Sequence, residues 1–254
     1  MAAPCFSEGQ FARVYGLLRR ERRIHTGQRE RERRFLEAVH WMSRGGAQWR
    51  FLPAEYGGWN SVYKRFARWD DLGVWTRLFQ AVADDPDLQA VMIDATVIRA
   101  HACAAGAPKK NGDQAAQGLG RSRGGFGTKL HVLVDALGHP LRFRLTSGAA
   151  GDNPQAIPLL DGVRTAEVLA DRGYDAEATI AYIEGQLHAT ATIPPKKNRV
   201  APRDCDYAAY KERHLVECCI GKLKHFRRVC TRFDKYAKRF LAFVHFASMC
   251  LWLK

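Results

Sequence analysis

Apolar residues recur at three- and four-residue intervals through residues 7–85, a spacing typical of amphipathic helices. Ser7 is a candidate N-cap for the first of these helices. Four stripes predict four helices, and they run over Phe11 to Leu18, Phe35 to Met42, Trp59 to Trp69 and Leu72 to Val82. Basic residues occupy the opposite faces, including Lys64 and Arg65. We expect a small helical bundle with an aromatic core, because rings on one helix face are typically buried.

The periodicity changes after the polar, Pro-containing segment at residues 84–87, where we place a domain boundary. Short apolar runs then predict five strands, at residues 90–99, 129–135, 141–146, 167–170 and 189–193. Helical stretches are predicted near residues 153–163, 176–186 and 206–226. The order β-β-β-α-β-α-β-α matches a ribonuclease-H-like mixed sheet flanked by helices. The predicted domains are therefore a helical one at 1–87 and a ribonuclease-H-like one at 88–254, with a disordered loop near 105–125.

The charge of the chain favours a polyanionic partner. Its net charge is +14, with a pI of about 9.7. Residues 1–50 hold 11 Lys and Arg against five acidic residues, and residues 196–254 hold 15 against five. Two basic regions therefore flank a nearly neutral centre, and DNA or RNA is the simplest partner for them. The alternative is a basic surface that serves only solubility.

The seven cysteines include no Cys-x-x-Cys pair, which disfavours a zinc ribbon and suits a reduced cytosolic setting. The first 30 residues are too charged for a secretory signal. The longest apolar stretch, Phe240 to Leu253, is too short to span a bilayer, so we expect no membrane partner.

Three carboxylates stand in contexts that suit a metal site. Asp94 lies within an apolar β-type run, Asp171 follows a second one, and Glu217 lies in a basic helical segment. An unpaired charge is costly to bury, so an acid at the end of a buried strand needs a partner. Hard cations such as Mg²⁺ take oxygen ligands and leave room for water and phosphate. In a basic protein, the three acids predict metal-assisted phosphodiester chemistry.

Other polar residues nearby have simpler interpretations. Asp135 is predicted to belong to a hairpin turn, and Asp152 and Asp175 to cap helices. His101 and His131 lie near strand ends, where a structural role is expected for a half-buried imidazole.

Several motifs in order resemble the DDE transposases of bacterial insertion sequences, in particular the group numbered five. An N-terminal part, Trp49 to Pro53 followed by Trp59 to Phe66, is similar to that group. Further similar stretches are Ile93 to His101, Ser122 to His131, Leu169 to Asp175, and the spacing Y-x2-R-x3-E-x6-K formed by Tyr210, Arg213, Glu217 and Lys224. Together they span residues 35–252.

The resemblance implies that Asp94, Asp171 and Glu217 form a catalytic triad that binds Mg²⁺, for which Mn²⁺ can substitute. It implies double-stranded DNA as partner, both element ends and target, and a homodimer or higher assembly on it. It also implies a bacterial cytoplasmic, nucleoid-associated location. The residues expected to contact DNA are Tyr210, Arg213 and Lys224, more weakly Lys129 and Arg99, and in the N-terminal domain Lys64 and Arg65.

Two alternatives stay open from the sequence. One is a DNA-binding protein that has lost catalysis, as a decayed or domesticated copy. The other is a nuclease of the same fold that cuts DNA without joining it, because both chemistries use the same acids.

Overall fold

The four N-terminal stripes form four helices in the computed structural model, which describes residues 5–107, 116–122, 124–201 and 203–254. These helices are α1 (Glu8–Arg20), α2 (Arg29–Gly45), α3 (Trp59–Asp71) and α4 (Val74–Val82). Ser7 begins α1 with a capping box, in which its hydroxyl accepts from the Gln10 N–H and the Gln10 side chain accepts from the Ser7 N–H. Helix α2 ends at Gly46, whose φ of 66° suits glycine. The predicted helical region is confirmed.

The first compact unit combines these helices with the C-terminal part of the chain. Its described residues are 5–84, 100–107 and 223–254. It also contains α9 (Arg227–Cys230), a two-residue strand at Thr231–Arg232, and α10 (Ala237–Trp252). Ten of the 16 residues of α10 are buried, and Phe243 stacks on Phe66 with ring centroids 4.4 Å apart. No helix within the described ranges is long and apolar enough to cross a membrane.

This grouping differs from the predicted domains, which placed residues 223–254 with the sheet. Helix α10 is apolar around most of its circumference, so it must be covered by other elements. It packs against α2, α3 and α4, whose apolar stripes supply that cover. A helix distant in sequence therefore completes the N-terminal bundle.

A mixed sheet forms the centre of the second unit, whose described residues are 85–99, 116–122, 124–201 and 203–222. Its strands are β1 (Ala90–Ala100), β2 (Gly120–Ser122), β3 (Gly125–Asp135), β4 (Pro140–Ser147), β5 (Glu167–Ala170) and β6 (Thr190–Thr192). The order is β2-β3-β1-β5-β6, and β4 pairs with β3. Strands β1 and β3 are antiparallel, whereas β1, β5 and β6 are parallel. The predicted mixed sheet is confirmed, and the short strand at 167–170 has the predicted limits.

The helices of this unit are α5 (Ala156–Leu160), α6 (Glu177–Gly185), α7 (Tyr207–Tyr210) and α8 (His214–Lys224). The prediction of one continuous helix over 206–226 is wrong, because a 3-10 turn at Lys211–Arg213 separates α7 from α8. The predicted loop at 105–125 is wrong for residues 120–122, which pair with β3 as β2. Its residues 108–115 and 123 lie outside the described part of the chain.

Candidate active site

Two of the three predicted catalytic acids lie side by side on neighbouring strands. Ile93 of β1 pairs with Ala170 of β5 in parallel register, and both are fully buried. Asp94 is the next residue of β1, and Asp171 is the first residue after the end of β5. Because neighbouring strands run about 4.8 Å apart, this register brings the two carboxylates together where β5 ends. The apolar pair beneath them anchors both acids in the core.

The Asp94 carboxylate is partly buried and has two partners. Its Oδ1 accepts a hydrogen bond from the Ala95 N–H at 2.7 Å, and its Oδ2 accepts from Arg213 Nη1 at 3.1 Å. Burial raises the pKa of Asp94, although the Ala95 N–H and Arg213 oppose that rise, and the nearby charge of Asp171 adds to it. Asp94 therefore lies where a cation is strongly favoured.

The Asp171 carboxylate is oriented by its own backbone turn. Its Oδ1 accepts a hydrogen bond from the Gly173 N–H at 2.8 Å, at the start of the 3-10 turn Arg172–Tyr174. A Cβ at Gly173 would lie 2.8 Å from that same oxygen. A side chain at residue 173 would force this carboxylate oxygen to shift, so the close approach of Gly173 helps to set the direction of the acid.

Arg213 joins the third acid to the first. Its Nη1 binds Asp94, its Nη2 binds Glu217 one turn later on α8, and its Cζ lies 5.7 Å from the ring centroid of Tyr210. Burial works against the charge of Arg213, but Asp94, Tyr210 and Glu217 outweigh it and raise its pKa. The guanidinium thus bridges two of the three acids and offsets one of their two negative charges.

The acids are not arranged as a finished metal site. Within the described part of the chain, no three His, Cys, Asp or Glu side chains are grouped closely enough to hold an ion. Glu217 is 56% exposed and reaches Asp94 through Arg213. The donor chemistry nevertheless fits a hard cation, since all three groups are carboxylates. A positive group already lies between two of them.

The other residues of the second unit that are predicted to contact DNA differ in their exposure and in whether they already have partners within the protein. Arg99 is exposed near the end of β1, and Tyr210 is half-buried beside Arg213. Lys129 is engaged internally, because its Nζ donates to the Ala150 carbonyl at 2.6 Å and lies 3.0 Å from Asp152 Oδ1. A DNA contact by Lys129 would require it to leave these partners.

Three further residues predicted to contact DNA, of which Lys224 was expected in the second domain, lie in the first unit and occupy distinct settings. Lys224 is the last residue of α8, and Lys64 is exposed on α3. Arg65 is ion-paired to the buried Glu32, and its Cζ lies 4.2 Å from the ring centroid of Phe35. Contacts of these three residues with DNA stay predictions.

Two acids predicted to cap helices have other roles. Asp152 precedes a 3-10 turn but makes no capping hydrogen bond, and Asp175 does not cap α6. Asp175 instead binds Arg199 at 2.5 Å and Arg203 at 3.0 Å, which with the Lys196 N–H lower its pKa against the effect of burial. Because Arg199 and Arg203 are distant from Asp175 in the sequence, the residues around Asp175 could not predict these ion pairs.

Sequence reasoning missed a polar cluster beside the acids. The His131 Nδ1 lies 3.7 Å from Asp152 Oδ1, its Nε2 lies 2.8 Å from Thr146 Oγ1, and burial lowers the pKa of His131 to about 4. Tyr174 is 1% exposed, and its hydroxyl has no hydrogen-bond partner among the described residues. Burial raises the pKa of Tyr174, and so do the charges of Asp152, Asp94 and Asp171. The available signal was the Asp-Arg-Gly-Tyr motif, which places a ring three residues after Asp171.

Comparisons with known proteins give two family models that match the chain. The model for "Transposase DDE domain" matches residues 85–253, and the model for "Putative transposase of IS4/5 family" matches residues 6–79. No solved structure gives a significant match.

Three curated relatives are similar over parts of the chain. A putative transposase for insertion sequence element IS6501 from Brucella ovis is 44% identical over 128 residues, which cover 50% of this chain and 98% of the relative. The uncharacterized protein y4sN from Sinorhizobium fredii is 37% identical, covering 41% and 84%. A putative transposase for insertion sequence element IS402 from Burkholderia cepacia is 32% identical, covering 44% and 56%. Because the domain model spans more than half of the chain and the Brucella relative is matched almost completely, the chain belongs to the DDE transposases of insertion sequences, enzymes that cleave DNA and transfer its strands.

Proposed function

We propose that this transposase uses Asp94, Asp171 and Glu217 to cut and join DNA. These acids would bind Mg²⁺, for which Mn²⁺ can substitute. The main support for the proposal is the parallel register of β1 and β5. Ile93 pairs with Ala170, and each of these two residues is followed directly by one of the acids. The Arg213 bridge from Asp94 to Glu217 adds the third acid to the same neighbourhood. Three acids from a strand, a strand end and a helix then serve one site.

The family is metal-dependent, and the acids of this chain provide suitable donors. Asp94 and Asp171 would hold the metal, and Glu217 would join them when it exchanges Arg213 for the ion. When bound, the metal lowers the pKa of a water and neutralises charge on the leaving oxygen. The Gly173 N–H keeps the Asp171 carboxylate oriented meanwhile.

The chain's other residues would bind and orient DNA. Arg213, once released from the acids, would hold a phosphate with its planar fork, and Lys224 would act as a point charge at the end of α8. Tyr210, Arg99 and Lys129 would contribute from the same unit as the acids, and Lys64 and Arg65 from the first unit.

In the reaction, a water oxygen would bond to phosphorus as the 3′ oxygen leaves and takes up the proton that the water gives up. The freed 3′-OH would then bond to a phosphorus of the target as that phosphodiester's own 3′ oxygen leaves and is protonated in turn. Neither displacement needs a covalent bond to the protein, so no Ser or Tyr nucleophile is required. Pairing two element ends calls for at least a homodimer on the DNA. We place this work at the nucleoid, in the bacterial cytoplasm.

The test uses a plasmid that carries the coding sequence with its native flanks. Asp94→Asn, Asp171→Asn and Glu217→Gln should each abolish Mg²⁺-dependent cleavage at the element ends while gel-shift binding persists. Asp161→Asn, an exposed acid in the same unit, is the matched control and should cleave normally. Cleavage at the wild-type rate by any triad variant would remove that residue from the site.

Strand transfer with pre-cut ends separates the transposase from a nuclease. Joining of the 3′-OH ends to a target plasmid supports the proposal. Cleavage without joining would favour the nuclease, and binding without either activity would favour a decayed copy.

A further inference from the structure

A basic pocket of about 400 Å³ lies within the first unit, apart from the three acids. It is formed by α3, the first turns of α2 and the segment that precedes α2. The charged side chains that line it are Arg31, Glu32, Lys64, Arg65 and Arg68, and His25 lies at its edge. Four cations and one carboxylate therefore face a single concavity.

The carboxylate in this pocket is fully used by fixed partners. Glu32 is 1% exposed, its Oε1 accepts from the Gly27 N–H at 2.8 Å, and its Oε2 binds Arg65. The Arg65 guanidinium also lies over the rings of Phe35 and Trp69, at 4.2 and 5.0 Å from their centroids. The Glu32–Arg65 pair thus forms a rigid wall that is neutral as a whole.

The remaining cations have no counter-charge. Across the described ranges of the chain, Arg31, Lys64 and Arg68 form no salt bridge. Lys64 and Arg68 are one turn apart on α3, a spacing at which like charges repel each other. A merely solvated face would spread these charges over a convex helix surface. Here side chains from two helices point into one pocket, which suits a bound anion.

The lining indicates which anion. Trp69 is 2% exposed and covered by Arg65, so its ring offers no surface on which a base could stack. Base recognition in such pockets relies on an accessible aromatic face. Lysine and arginine donors instead suit phosphate oxygens. The volume falls within the usual range of ligand pockets and exceeds the needs of one phosphate group.

We propose that this pocket holds the sugar-phosphate backbone of DNA, positioning the duplex without reading its sequence. Arg68, Lys64 and Arg31 donate to the phosphates, and the Glu32–Arg65 pair keeps the wall of the pocket in place. The proposal deepens the proposed function by assigning a backbone contact to the first unit, and it does not depend on which acids catalyse cleavage.

The test measures binding of the full chain to a short duplex of arbitrary sequence over a range of salt concentrations. Lys64→Gln with Arg68→Gln should reduce the slope of log K against log salt by about 1.8, since each lost phosphate contact removes about 0.9. Arg19→Gln with Arg20→Gln on α1 removes the same charge from exposed positions outside the pocket and should leave the slope nearly unchanged. An equal change in both double variants, or none in the pocket variant, would overturn the proposal.

A second measurement uses the wild-type protein and needs no substitution. Duplex DNA should protect Arg31 and Arg68 from phenylglyoxal, as mapped by mass spectrometry, and inorganic phosphate at the same phosphate concentration should protect them less. Protection by inorganic phosphate without protection by the duplex would assign the pocket to a small phosphate ligand and refute the DNA contact. The triad variants Asp94→Asn and Asp171→Asn should show the same protection of Arg31 and Arg68 by duplex DNA as the wild type, so failure of the pocket is distinct from failure of the triad.

Discussion

Replacing Arg213 with glutamine should have opposite effects on the metal-free and metal-loaded protein. In the metal-free protein, the substitution removes the cation that lies between Asp94 and Glu217. Asp94 then keeps a charged neighbour in Asp171 but loses its counter-charge. A metal would no longer compete with the guanidinium, so its affinity should rise.

The exposure of the partners sets the magnitude. Arg213 and Asp94 side chains are 16% and 20% exposed, whereas Glu217 is 56% exposed. Breaking a fully buried pair costs about 3–5 kcal/mol and an exposed pair about 0.2–1 kcal/mol. The intermediate burial of the Asp94 end places the loss near 2 kcal/mol, which lowers the unfolding midpoint by about 4–8 °C in a protein of this size. If the same energy opposes metal binding, its removal tightens binding by roughly thirtyfold.

The assay is thermal unfolding in EDTA and at several Mg²⁺ concentrations, with Mn²⁺ affinity measured by calorimetry. Arg213→Gln should unfold earlier than wild type in EDTA and show the larger rise with metal. Arg199→Gln, which breaks another ion pair in the same unit, should destabilise without any change in the metal response. If Arg213→Gln binds metal no better than wild type, the reasoning about competition is refuted.

Three further changes test single contacts. Gly173→Ala should reduce cleavage at least tenfold without unfolding the protein, because its Cβ would displace the Asp171 carboxylate; Gly185→Ala, which has open space around it, should cleave normally. Tyr174→Phe should keep or slightly raise thermal stability, since it removes a buried hydroxyl that has no hydrogen-bond partner among the described residues, and a large loss of stability would contradict that view. Burial lowers the pKa of His245 to about 4, so between pH 6.5 and 4 the unfolded chain binds a proton that the folded chain does not. His245 should therefore contribute about 3 kcal/mol to the fall in unfolding free energy on acidification through that range, and urea titrations of His245→Gln should show a fall that is smaller by that amount.

Much of the fold followed from local patterns. Helices α1 to α4 each bury one face, which imposes a helical spacing on their apolar residues. Residues 167–170 form a short buried strand, which explains their short apolar run. The C-terminal helix α10 could not be assigned to a unit in this way. Its apolar residues indicate only that it is buried, and which partner buries it depends on surfaces far away in the sequence.

The candidate site, like the fold, was predicted from the sequence only in part. The identities of Asp94, Asp171 and Glu217 came from their context and from the motifs around them. The cap assignments for Asp152 and Asp175 were wrong because an acid before a helix is usually a cap unless a distant cation competes. Lys129 reaches Asp152 across 23 positions and Arg199 reaches Asp175 across 24, distances that no local pattern records.

By itself, the sequence determined which residue types were available: three acids, a basic helix face beside the third, and the periodicities that build a sheet and a helical bundle. Only the tertiary structure decided that Asp94 and Asp171 stand in neighbouring register and that Arg213 bridges two acids. It also decided that Glu32 neutralises Arg65 while Arg31, Lys64 and Arg68 share a pocket. The physical reason is that charge pairing acts through space over a few ångströms, whereas hydrophobic periodicity is written along the chain.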